Sequence, residues 1–114
     1  MAFSDIERAR VSKRLNAYCN ARIPMHTRNR LRLGYRIAGH DVVLLEERPA
    51  FRPPHEWQEL PVAKFTYVRT RRVWRLFCKH SDLRWHTYQR LPTAGEFDIL
   101  LSEVDADPTH IFWG

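Results

Sequence analysis

This chain is poor in the residues that most often mark a catalytic or metal site. Its four glycines are scattered singly and form no glycine-rich phosphate loop; neither a nucleophile elbow nor a His-Glu-x-x-His helix is present. It has two cysteines, Cys19 in a predicted helix and Cys78 in a predicted strand. Their separation matches neither a disulfide framework nor a paired zinc knuckle, so they read as buried free thiols. No apolar run reaches the roughly 18 residues a membrane helix needs, and "MAFSDIERARVSKRL" lacks the apolar stretch of a signal peptide. The expectation is a soluble, cytoplasmic protein with no membrane partner and no cofactor.

What the chain does have is apolar mass and positive charge. With 44% hydrophobic residues and 114 residues in all, it supports one globular domain that buries roughly two-thirds of its unfolded surface. The net charge of +6 is laid down in blocks. Residues 1–40 carry nine Lys or Arg against two acids, 41–63 two against five, 64–90 eight against one, and 91–114 none against five. The acidic last block therefore has a natural place beside the basic first one. Arginine makes up sixteen of the nineteen cations, and its planar fork suits phosphate, carboxylate and ring stacking.

The hydrophobic period divides the chain into elements. Ser4 and Glu7 form a capping-box pattern that opens a helix over about 4–22, with Val11, Leu15, Tyr18 and Cys19 on its core stripe. Strict alternation then predicts a strand at about 29–38, and Ala38-Gly39-His40-Asp41 reads as a hairpin turn into a second at about 41–48. Prolines 49, 53, 54 and 61 predict one long loop, with Trp57 fixing it. Strands follow at about 62–70, 73–80 and 83–89, their short connections requiring antiparallel neighbours. Thr93 and Glu96 repeat the capping pattern before a second helix at about 94–106. The expected fold is a single α+β domain spanning 1–114, a five-stranded antiparallel meander with both helices on one face.

Strand parity then assigns residues to the open face. Burying Leu31, Leu33, Tyr35 and Ile37 leaves Arg30, Arg32 and Arg36 outside. Burying Trp74, Leu76 and Cys78 leaves Arg75, Phe77 and Lys79. Burying Leu83, Trp85 and Thr87 leaves Arg84, His86 and Tyr88. The Arg69, Arg71 and Arg72 turn extends this face as a tip that would grip a phosphate backbone. A cationic sheet bearing rings is a platform for single-stranded DNA or RNA, with phosphates on the cations and bases stacked on Phe77 and Tyr88. The alternatives are a merely solvated sheet face, or a surface that meets a protein partner or a second copy, where charged rims and aromatic centres are also expected. The run Trp74 to Cys78 is apolar on both parities, which leaves its facing open.

The remaining chemistry is thin. Cys78 and His80 share a strand face while His86 falls on the opposite parity, which argues against a common metal. Asp41, Glu46 and Glu47 come nearest to a carboxylate cluster, but Glu46 and Glu47 point to opposite faces and read as hairpin charges paired with neighbouring arginines. Metal-free RNA cleavage by His86 with Lys79 or Tyr88 stays chemically open.

The segments "RLRLGYRIAGHDVVLLEERP", "PVAKFTYVR" and "LRWHTY", with Trp57 and above all the ending "DADPTHIFWG", resemble a family of short bacterial proteins classed as a domain of unknown function. The similarity runs from Tyr18 onward. It implies a bacterial, stand-alone domain and brings no activity, cofactor or site residue. The apolar ending is expected to pack through Phe112 and Trp113 rather than to be presented to a partner. The leading expectation is a non-enzymatic nucleic-acid-binding domain, ahead of an interaction or homodimerisation module and then a small nuclease.

Overall fold

The computed structural model of the protein describes residues 3–114. Helix α1 (Asp5–Arg22) opens with a reciprocal capping box: the Ser4 N–H donates to Glu7 Oε1 at 2.8 Å, and the Glu7 N–H donates to Ser4 Oγ at 3.2 Å. Such a cap stabilises a helix by about 1 kcal/mol. Val11, Leu15, Tyr18 and Cys19 form the buried stripe. Pro24 disfavours helical geometry at Ile23, which caps the helix in an extended conformation.

The sheet is an antiparallel meander of β1 (Arg32–Ala38), β2 (Asp41–Pro49), β3 (Trp57–Val68), β4 (Val73–Lys79) and β5 (Trp85–Thr87), in that spatial order. Ala38 pairs with Asp41, leaving Gly39 and His40 as a two-residue turn. Gly39 takes φ +59, which a first turn residue without a Cβ adopts at little cost. Helix α2 (Phe97–Ala106) and α1 lie on one face. The core between helices and sheet includes Leu15, Val42, Leu44, Phe65, Leu76, Leu100, Leu101 and Val104.

Several boundaries differ from those expected. The proline-rich loop is short, because β2 runs to Pro49 and β3 begins at Trp57. Pro61 lies inside β3 at a bulge: Leu44 pairs with Ala63 and Leu45 with Pro61, so Val62 is the extra residue. A bulge interrupts the ladder and tolerates a residue without an N–H. The second capping box does not form. Thr93 and Ala94 instead pair with Arg75 and Trp74 as a short strand, β6, and Glu96 becomes the N-cap of α2 without a side-chain bond.

The two helices bring opposite charge blocks together. Arg14 meets Asp98 at 2.6 Å and Arg22 meets Asp105 at 2.7 Å. The tail then folds back on α2. Asp107, buried at 5% exposure in the left-handed conformation, accepts from the Phe112 N–H at 3.1 Å and the Trp113 N–H at 2.8 Å. Trp113 Nε1 donates to the Val104 carbonyl at 2.8 Å, and the Arg22 guanidinium sits 4.1 Å from the Trp113 ring. Phe112 and Trp113 are therefore docked. Among the described residues no helix is long and apolar enough to cross a membrane.

Candidate nucleic-acid interface on the open sheet face

Directly opposed residues of an antiparallel ladder point to the same face, so the register decides which side chains share the open side. Along β4, Arg75 lies opposite Thr66 and Thr93, Phe77 opposite Lys64 and Thr87, and Lys79 opposite Trp85. These residues converge. Lys64 Nζ lies 4.7 Å from the Phe77 centroid and 5.5 Å from that of Trp85; Arg75 lies 4.8 Å from Phe77, and Lys79 5.2 Å from Trp85. Three cations thus surround two half-buried rings. None of the three forms an ion pair with another described residue. Four residue steps of β4, from Arg75 to Lys79, carry the patch over about 13 Å.

The expected residues separate into two groups. Arg75, Phe77 and Lys79 are on the open face, flanked by exposed Arg71 and Arg72 in the turn between β3 and β4. Arg32 and Arg36 also face that side but lie on the far edge strand, where they are already engaged. Arg32 sits 3.9 Å from the Trp57 ring and donates from Nε to the Arg28 carbonyl, while Arg36 is ion-paired to Glu59. Arg30 precedes β1 and Arg84 precedes β5, both exposed in connecting segments rather than in strands. Arg69 is drawn toward α1, its guanidinium 2.8 Å from Glu7 Oε1.

His86 and Tyr88 are on the opposite side from the one expected. His86 faces Cys78 across the ladder, on the helix side, and its Nε2 lies 2.8 Å from Asp82 Oδ2. Tyr88 is buried, its hydroxyl donates to Glu103 Oε2 at 2.6 Å, and its ring packs 4.9 Å from Phe112. Trp85 and Thr87 take the open positions instead. The inversion starts in the turn: Asp82 Oδ1 accepts from the Arg84 N–H at 2.9 Å and Leu83 adopts φ 62, so no strand exists until Trp85. An aspartate two residues before an N–H is an Asx-turn signal, and parity counts from the residue after it. The Arg84 N–H and then His86 hold the Asp82 carboxyl below its ordinary range.

The histidine parity also changes the Cys/His geometry. His80 stacks on His86 with centroids 3.9 Å apart, and the Cys78 thiol donates to the His86 carbonyl at 3.7 Å. Burial pushes the Cys78 thiol upward and the Cys19 thiol to about 11. Among the described residues no three His, Cys, Asp or Glu side chains are grouped to hold a metal ion. Of the hairpin carboxylates, Asp41 accepts from Thr66 Oγ1 at 2.6 Å and Glu46 lies 2.8 Å from Arg48. The Glu47 carboxylate occupies the space beside Gly34, where an added Cβ would approach it to 2.6 Å.

An antiparallel sheet with helices on one face and a ring-bearing cationic surface on the other defines a small open-faced α+β domain. The chain belongs to the family described as a domain of unknown function (DUF3024), which matches residues 3–114. No curated protein and no solved structure matches it.

Proposed function

We propose that the open sheet face binds single-stranded nucleic acid, with Lys64, Arg75 and Lys79 meeting phosphates and Phe77 and Trp85 stacking bases. The observation that carries this reading is the group of three cations, without ion-pair partners among the described residues, around two rings. A base must displace a cation from a ring to stack there. An exposed cation–π contact is worth about 0.5–1 kcal/mol, whereas a stacked base gains about 1–3 kcal/mol. The exchange favours the base, and the displaced cation is then positioned for a phosphate.

The test is fluorescence anisotropy of a labelled single strand at low and physiological salt, comparing the wild type with the Arg75→Ala/Trp85→Ala double variant. Salt-sensitive binding lost in a folded double variant supports the sheet face. Absence of binding at low salt overturns the reading. A concentration-dependent mass in sizing, insensitive to salt and abolished by Phe77→Asp, would instead assign the same surface to a second copy of the chain.

A further inference from the structure

On the helix side, a cleft of about 500 Å³ opens between the N-terminal half of α1 and the first turn of α2. It falls within the roughly 300–1,000 Å³ typical of small-ligand sites. Its floor is aromatic. Trp74 lies at the centre, with Phe97 at 5.0 Å, Tyr67 at 5.1 Å and Phe3 at 5.6 Å between ring centroids. The charges on its walls fall into two sets. Glu7 is paired with Arg69 and Asp98 with Arg14. Arg10 and Glu96 have no ion-pair or side-chain hydrogen-bond partner among the described residues, which leaves one donor fork and one acceptor available at an apolar floor.

We infer that this cleft is a second binding site, for one aminated nucleotide: a planar ring carrying an exocyclic amine and a phosphate. The ring lies on the aromatic floor, the amine donates to the Glu96 carboxylate, and the phosphate meets the Arg10 guanidinium. Carboxylates read exocyclic amines, and guanidinium groups bind phosphates bidentately. Other ligands use the site less well. A bare phosphate would gain Arg10 alone while facing Glu7, Glu96 and Asp98, and an alkyl chain would leave both free charges unused. The inference goes beyond the sheet-face proposal and does not depend on it, because cleft and patch lie on opposite sides of β3 and β4.

A titration with adenosine 5′-monophosphate followed by amide and indole NMR tests it. The expected result is saturable shifts at the Trp74 indole N–H and at the Gly95 and Phe97 amides, with Arg75, Phe77 and Trp85 unmoved. Arg10→Ala and Glu96→Gln, both substitutions at exposed positions, should each weaken binding about tenfold. Uridine 5′-monophosphate, lacking the amine, should bind more weakly than the adenosine nucleotide and be insensitive to Glu96→Gln. No shift at millimolar nucleotide, or shifts confined to Phe77 and Trp85, overturns the cleft site. Cleft shifts indifferent to both variants overturn it as well. None of these negative results alters the anisotropy test of the sheet face with a longer strand.

Discussion

One carboxylate closes the tail. Asp107 accepts two backbone N–H groups, those of Phe112 and Trp113, from a left-handed position that aspartate tolerates better than alanine. Asp107→Ala strands both donors and should cost about 2–4 kcal/mol, read as a lower urea midpoint with unchanged slope. Asp107→Asn, which keeps an acceptor and the same backbone tolerance, should cost less; an alanine variant as stable as the parent would mean that the rings alone dock the tail. Glu7 predicts a pH response. Hydrogen bonds from the Arg69 guanidinium and then the Ser4 N–H hold its carboxyl at about 2, against an ordinary 4.5. A lowered folded value adds stability above pH 4.5 that is lost as pH falls toward 2. The urea midpoint should drop through that window, and Glu7→Gln should flatten the drop.

At the scale of the element, β5 separates the two assignments of the sheet face. Trp85→Ala should weaken single-strand binding by about 1–3 kcal/mol while leaving the fold intact. Tyr88→Phe, which removes the hydroxyl bonded to Glu103, should leave binding unchanged and lower stability by about 0.5–1.5 kcal/mol. The reverse pattern would return Tyr88 to the binding face. The periodicity of β1 was legible because its apolar Leu33, Tyr35 and Ile37 alternate with Arg32, Gly34 and Arg36 and pack against the core under the helices. β5 was misread because Trp85, the larger ring, is held outside among cations, while Tyr88 is inside with its hydroxyl satisfied. Pro61 hid the start of β3, because a bulge is specified by pairing with a distant strand rather than by local sequence. Thr93 and Glu96 carried a local helix signal that lost to the bridge with β4.

Across the whole molecule, charge has two uses that salt can separate. The pairs between α1 and α2 are largely exposed, and such pairs are worth about 0–1 kcal/mol each, so stability should change little with ionic strength. Binding should change steeply. With three patch cations engaged, or six when Arg71, Arg72 and Arg84 join them, log affinity against log salt should fall with a slope between about −2 and −4. A flat plot would leave the open face as a solvated surface. The block pattern of charge was legible along the chain, and it foretold the neutralisation of α1 by α2. It left unresolved which arginines stay free, because Arg36–Glu59 and Arg69–Glu7 join residues 23 and 62 positions apart.

The tail closure also makes the domain easy to mount. Asp107 holds both ends of a short exposed excursion that follows α2, on the helix side of the sheet, and Ile111 within it is 38% exposed. Both native thiols are buried and shifted away from the thiolate form, so maleimide chemistry at neutral pH should pass them by. An Ile111→Cys variant would then carry a single addressable handle. Coupled to a surface through it, the molecule would present Phe77 and Trp85 outward, ready for immobilised binding assays in one orientation.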